Sequence, residues 1–406
     1  MKKTTSTKNI LRNIETLDEI AVPLLRWFHS EKRSLPWRES PTPYRVWVSE
    51  IMLQQTRVEA VKPYFERFVA ALPDVRSLAQ ADEDMLMKLW EGLGYYSRAR
   101  HLQDAARIVC SDHGGELPAR FDDLLALPGI GRYTAGAIAS IAFGEHRPAV
   151  DGNVLRVIMR LLASPADILK DSTKRAVEDA LLVRLPKNAG DFNQALMELG
   201  ALICLPRGAA RCSACPLQRF CLAKAASLQG DLPKKTPPQR RRTEKLTIFL
   251  LAKGGRIALE KRPAQGLLAG LWGFPSMQGH LEKQQAEQAL QTIGLVPAKF
   301  HALPAAQHIF SHITWQMVAW RVELAETPTE IESASSKSAP ASSESTETNA
   351  QPTPLLLREA SAPYDMQTKT PALHWATTQE IIDTYSVPSA YRSYLPYIRS
   401  TAGESS

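Results

Sequence analysis

The chain is expected to fold as an all-α domain followed by a mixed α/β domain, on three observations. Between Asp18 and Gly230 apolar residues return at helical spacing, with few strand signals. Past a Pro-rich, basic stretch from Gly230 to Arg242 (GDLPKKTPPQRRR) the pattern changes to strand-like runs. Later, Thr327 to Pro354 is so rich in Ser, Thr, Glu, Ala and Pro that it cannot bury a core. With 406 residues, 44% of them hydrophobic, the chain has room for two real cores. The expected division is a polar, basic, disordered tail over 1–17 and the helical domain over 18–229. A linker over 230–244 follows, then the mixed domain over 245–398, with 327–354 as a disordered insertion.

Each element has its own signal. Tyr44, Trp47, Val48, Ile51 and Met52 recur at i, i+3, i+4, i+7 and i+8, which is one face of an amphipathic helix. Phe121 to Leu127, Arg132 to Phe143, Val154 to Leu162, Ser172 to Leu185 and Asn193 to Cys204 read the same way. Leu246 to Ala252 and Ile313 to Val322 read as strands. Folded sequence resumes near Leu355 and runs to about Ile398.

Four of the five cysteines, Cys204, Cys212, Cys215 and Cys221, fall within eighteen residues. Thiolates this dense, flanked by Arg207, Arg211 and Arg219, need either disulfides or a metal. The opening MKKTTSTKNI has no apolar core of a signal peptide, so a reducing, cytoplasmic setting is expected and disulfides are not. Four sulfur ligands suit a structural zinc or an iron–sulfur cluster, and spacing alone does not choose. Cys110 stands apart as a small core hydrophobe. The formal net charge of +7 fits a polyanionic partner but equally fits ordinary solubility.

Leu127-Pro128-Gly129-Ile130-Gly131-Arg132-Tyr133-Thr134-Ala135 lies between two expected helices. Gly129 and Gly131 would allow positive φ and a tight hairpin, leaving the next helix's first N–H groups open to an anion. This resembles a helix-hairpin-helix motif, which grips a DNA phosphate through the backbone. Ala149-Val150-Asp151-Gly152-Asn153-Val154 follows, and with the cysteine set it resembles the DNA glycosylase superfamily that includes endonuclease III. That resemblance implies a [4Fe-4S] cluster on the four cysteines. The family usually has six residues between its first two cysteines, and Leu205 to Arg211 makes seven here.

Ser49-Glu50-Ile51-Met52-Leu53-Gln54-Gln55-Thr56 narrows the family further. With Leu35-Pro36-Trp37-Arg38 before it and Gly92-Leu93-Gly94-Tyr95-Tyr96-Ser97-Arg98 after it, it resembles adenine DNA glycosylases of the MutY type, which remove adenine mispaired with 8-oxoguanine. The resemblance covers about Asp18 to Ile398 apart from the insertion. It implies double-stranded DNA carrying adenine opposite 8-oxoguanine or guanine as partner. A monomer without a membrane partner, close to a bacterial-type nucleoid, is expected.

The bond to adenine breaks when the purine is protonated and the sugar becomes oxocarbenium-like, so an acid and a negative charge beneath the sugar are needed. Among Val48, Ile51 and Met52, desolvation should keep Glu50 protonated. The resemblance makes Glu50 the acid and Asp151 the stabiliser of the cation, with Asn153 orienting and Tyr133 assisting. Extruding the base leaves a gap to be wedged. Gln55, Thr56, Leu93 and Tyr95 are assigned to the 8-oxoguanine side, and Trp37, Arg38 and Leu53 to the adenine pocket. Gln194 stands where some relatives carry a carboxylate.

Leu271-Trp272-Gly273-Phe274-Pro275 resembles the approach to a Nudix box, but the helix after it, Ala286 to Leu295, carries only one carboxylate, Glu287. One carboxylate does not hold magnesium as a cluster does, so the second domain should bind rather than hydrolyse. Phe310-Ser311-His312 resembles the family's loop that inspects 8-oxoguanine, with Ser311 hydrogen-bonding the lesion. The competing readings are a bifunctional glycosylase/lyase, an inert metal-stabilised DNA-binding module and a Nudix hydrolase. A lyase needs an amine, and Tyr133 occupies the position of the lyase lysine. Lys170 and Lys174 are the nearest amines by sequence.

Overall fold

In the computed structural model residues 10–206, 210–237, 240–325 and 372–399 are described. The chain divides into two compact units near residue 238. The expected insertion at 327–354 and the start of folded sequence near Leu355 lie outside the described residues, as do residues 1–9. No helix among the described residues is long and apolar enough to cross a membrane.

The first unit is helical throughout its described residues. The helix Pro43–Leu53 starts where Thr42 accepts the Arg45 N–H and Pro43 presets the first turn. Asp74 and Asp82 start two further helices in the same way. The helix Gly152–Leu161 is buried along most of its length and anchors a core that runs from Leu11 through Phe28 to Phe192 and Leu217.

Two expectations about chain ends change. The tail does not extend to residue 17: Leu11 and Leu17 are buried, Ile14 packs on the same core, and Ile14–Asp18 forms a 3₁₀ turn. Three apolar side chains in one short stretch had enough area to dock. The linker expected over 230–244 is also shorter than its composition suggests. Leu232 is buried, Ile168 donates to the Lys234 carbonyl, and Thr236 binds Asp167. At its other end Arg242 already opens a strand, where ladder bonds satisfy its backbone.

The second unit is a mixed sheet of seven strands: β1 (Arg242–Lys253), β2 (Arg256–Lys261), β3 (Trp272–Gly273), β4 (Ser276–Gln278), β5 (Pro297–Ile309), β6 (Ile313–Leu324) and β7 (Leu373–Ala376). The order is β3-β2-β1-β6-β5, with β4 on β1 and β7 on β2. β1 and β6 run parallel and the other pairs antiparallel. The unbroken apolar run in β1 follows from burial on both faces. Ile248 and Leu250 pack with Trp315, Tyr391 and Tyr394, while Phe249 and Leu251 pack against Ala286 and Leu290 of the helix Lys283–Thr292. β5 lies at the sheet edge, where Pro304 sits within a register shift between Leu303 and Ala306.

Candidate active site

A cavity of about 380 Å³ opens in the first unit. The helix Pro43–Leu53, the hairpin helix Arg132–Phe143, the Asp151 turn and the helix Ala189–Leu202 all supply its walls. Glu50 is 6% exposed on the buried side of the first of these. Burial lifts its carboxyl to about 7; the Tyr133 hydrogen bond and the Arg38 charge oppose that lift, and the Asp151 charge adds to it. Tyr133 donates its hydroxyl proton to Glu50 Oε2, and Met197 Sδ lies 3.3 Å from the Tyr133 hydroxyl oxygen. Burial, then the two carboxyls, hold the Tyr133 phenol well above its usual value, so it stays a neutral donor.

Asp151 is the N-cap of Gly152–Leu161, accepting the Val154 N–H at 2.7 Å and the Asn153 side-chain amide at 2.7 Å. Burial raises its carboxyl, while these donors and Arg156 favour the charged form. Asn153 is itself fixed: its Oδ1 accepts from Arg156 at 2.8 Å, and the same guanidinium reaches the Cys204 and Gly200 carbonyls. A Cβ on Gly200 would stand 2.6 Å from the Asn153 Cβ, so only glycine lets the two helices approach this closely.

Trp37, Arg38 and Leu53 line the cavity, and Gln194 joins them. Arg38 Nε donates to Gln194 Oε1 at 3.0 Å and Nη2 to Glu198 Oε2 at 3.1 Å. Glu198 also takes two side-chain bonds and a backbone bond from Arg33. Burial works to raise the Glu198 carboxyl, but the Arg33 and Arg38 bonds overcome it and hold it at about 2. Sequence reading passed over Glu198, Arg33, Met197 and Arg156. The signal for Glu198 was its place four residues after Gln194, on the same helix face and inside an apolar run.

The other expected residues divide. Gln55 and Tyr95 are exposed, each with positive φ (60° and 48°). Thr56 lines the cavity, and Leu93 is buried at 7% exposure rather than presented to a partner. Gly129 has φ +73°, and a Cβ there would meet the His101 Cβ at 2.6 Å. Gly131 differs from expectation: at φ −87° it is an extended N-cap with open space around it, and it does not make the turn. Lys170 and Lys174 do not line the cavity, whereas Lys32 does, with its ammonium 5.3 Å from the Phe28 ring centre. In the second unit Phe310, Ser311 and His312 form the turn between β5 and β6. Phe310 packs edge-to-face against His308 and Trp315, Arg241 Nε donates to its carbonyl, and Ser311 and His312 are exposed.

All four cysteines of the loop are half-buried, and Cys204, Cys215 and Cys221 pack against the core. Burial pushes the Cys215 thiol up to about 12, and the neighbouring cysteines add to it. Arg160 Nη1 nevertheless points an N–H at Cys204 Sγ, 3.2 Å away, as suits a thiolate. Among the described residues no three His, Cys, Asp or Glu side chains are gathered to hold one ion. The four thiols, with the Arg156 and Arg160 guanidiniums at the Cys204 end, are a donor set of the kind that holds a structural metal or an iron–sulfur cluster.

The helical unit with the hairpin, the capped aspartate and the buried acid is the part of the chain that a base-excision DNA repair family matches. Residues 48–186 match the HhH-GPD superfamily of base excision DNA repair proteins, and 247–396 match the NUDIX domain. The human adenine DNA glycosylase is 35% identical over 81% of this chain and 71% of its own length. That of Buchnera aphidicola subsp. Schizaphis graminum is 33% identical over 74% of this chain and 86% of its own. A solved thermostable thymine-DNA glycosylase is 27% identical, covering 52% of this chain and 98% of its own, with a TM-score of 0.47. The chain belongs to the adenine DNA glycosylases, hydrolases that remove adenine from DNA in base excision repair.

Proposed function

We propose that this glycosylase acts on adenine opposite 8-oxoguanine or guanine and stops once the base is released. The observation that carries the catalytic reading is Glu50, held protonated near neutral pH in a cavity that it shares with Asp151 and Tyr133. Glu50 gives its proton to a ring nitrogen of the extruded adenine, whose departure then needs no anion. Asp151, half-buried and steadied by Asn153, faces the positive charge that develops on the sugar. Trp37, Leu53 and Arg38 hold the base, and Arg38 keeps its direction because Glu198 and Gln194 fix its guanidinium. Tyr133 relays polarity between the acid and the sugar side and, as a phenol, forms no imine.

On the same reading Cys204, Cys212, Cys215 and Cys221 would hold a [4Fe-4S] cluster, and Arg156 and Arg160 reach the Cys204 end of that loop. Gln55 and Tyr95 enter the gap left by the base, Gly129 and Gly131 hold a phosphate, and Ser311 between Phe310 and His312 reads the lesion. The test is release of adenine from duplexes with adenine opposite 8-oxoguanine, guanine, cytosine or thymine. Equal rates on all four would sink the lesion-directed reading. Lys32, an amine at the cavity wall, gives the bifunctional reading a specific candidate. Strand cleavage without alkali and a borohydride-trapped complex, both lost in Lys32→Ala, would establish that reading instead.

A further inference from the structure

Arg98 is 8% exposed, and among the described residues none of its hydrogen bonds goes to a carboxylate. Burying a guanidinium is costly unless its donors are satisfied. Here main-chain carbonyls from two separate stretches of chain take up both terminal nitrogens, while the buried Nε finds no partner among the described residues. Nη1 donates to the carbonyls of Ile51 at 2.7 Å, Met52 at 3.1 Å and Gln54 at 2.7 Å, the last turn of the helix that carries Glu50. Nη2 donates to the carbonyls of Leu93 at 3.3 Å and Gly94 at 3.1 Å. The guanidinium also lies over the rings of Trp90 and Tyr95, at 5.4 and 5.6 Å.

Both stretches end in a side chain in the left-handed region. Gln55 follows the first with φ 60°, and Tyr95 follows the second with φ 48°. For residues other than glycine that conformation costs on the order of 1 kcal/mol or more and persists only where the surroundings impose it. The carbonyls that Arg98 holds stand immediately before each of these residues. A cation at the C-terminal end of Pro43–Leu53 also suits the helix dipole.

We infer that Arg98 is a positioning residue for base extrusion: one buried guanidinium locks the Gln55 and Tyr95 turns together and to the end of the Glu50 helix. The two wedge side chains and the acid then keep one fixed relation while the adenine leaves the stack. The inference rests on the proposed wedge role of Gln55 and Tyr95. Lysine supplies one charge and three donors without the planar fork, so Arg98→Lys cannot serve both turns at once.

The test compares wild type with Arg98→Lys and Arg98→Gln, each first checked for wild-type helical circular dichroism. One substrate is a duplex with adenine opposite 8-oxoguanine, and the other carries the adenine in a one-base bulge, already unstacked. A 2-aminopurine beside the target reports extrusion. Single-turnover cleavage of the mispair should fall about a hundredfold, as for a small misplacement of positioned groups. The extrusion signal should disappear, and cleavage of the bulge, which needs the acid but not the wedge, should fall far less than cleavage of the mispair. Equal loss on both substrates, or no loss on either, overturns the role. A wild-type enzyme that cuts both substrates without an extrusion signal at the mispair overturns the wedge reading beneath it. If neither variant folds, hydrogen exchange on wild type decides. The amides of Gln54 to Thr56 and of Leu93 to Tyr95 should open as one unit, and independent opening rates would refute the coupling.

Discussion

Glu50 shows how one residue depends on its surroundings for its chemistry. Its helix face places it among apolar neighbours, and burial then carries the carboxyl to about 7. Glu50→Gln keeps the shape and removes the proton. Adenine release should fall by more than about a hundredfold to ten-thousandfold, with mismatch binding nearly intact. The wild-type rate should decline as pH rises through about 7, because only the protonated carboxyl serves as acid. The sign for stability is the same. A carboxyl whose folded pKa lies above its unfolded 4.5 binds the extra proton in the folded state, so stability falls between pH 4.5 and about 7. The loss amounts to about 3 kcal/mol by pH 8. Glu50→Gln should therefore gain on wild type in urea melts at pH 8 and lose that advantage at pH 4. The position of Glu50 in an apolar helix was legible in sequence. Glu198 was not, because its partners Arg33 and Arg38 lie about 160 residues away.

At the scale of elements, helix ends and turns set the site. The hairpin makes two glycines that look alike in sequence do different work. Gly129→Ala should lose more than about 1 kcal/mol in urea unfolding, because its φ is positive and its Cβ would strike His101. Gly131→Ala should stay within about 0.5 kcal/mol of wild type, since its backbone is extended and its surroundings are open. Any binding defect of Gly131→Ala would then report on the phosphate rather than on folding. The helix Ala189–Leu202 is pinned to the Arg33–Arg38 stretch through Glu198. Glu198→Ala leaves two guanidiniums without their carboxylate and should cost about 3–5 kcal/mol. That loss should fade in acid only as pH drops toward about 2, where the wild-type carboxyl, ionised and stabilising from above 4.5, finally protonates. A stability difference that had already vanished at pH 4 would show that the ion pairs do not form in solution.

For the whole molecule, the two units are separate bodies with separate cores. A chain ending after Pro237, beyond the Thr236 contact with Asp167, should keep adenine excision. It should lose much of its preference for 8-oxoguanine over guanine, since the Phe310-Ser311-His312 turn is gone. Full retention of that preference would assign lesion reading to the first unit. Purified aerobically or anaerobically, the chain should carry about four irons and absorb broadly in the visible. Stoichiometric zinc in anaerobic protein would replace the cluster assignment.

Taken alone, the sequence determined the order of domains, the helical faces, the hairpin and the cysteine set. These are local: a helix face repeats every three to four residues, a strand every two, and a turn needs its glycine in place. It also carried the motifs that mark adenine glycosylases, since those are contiguous. Tertiary structure decided what depends on chain segments far apart. It buried Leu11 and Leu17, ended the linker at Arg242, turned Leu93 inward and brought Lys32 rather than Lys170 or Lys174 to the cavity. It also joined Asp151 through Asn153 and Arg156 to the Cys204 loop, and closed Arg98 on two turns forty residues apart. Charge and hydrogen-bond satisfaction are properties of what surrounds a group in space, and no spacing along the chain encodes them.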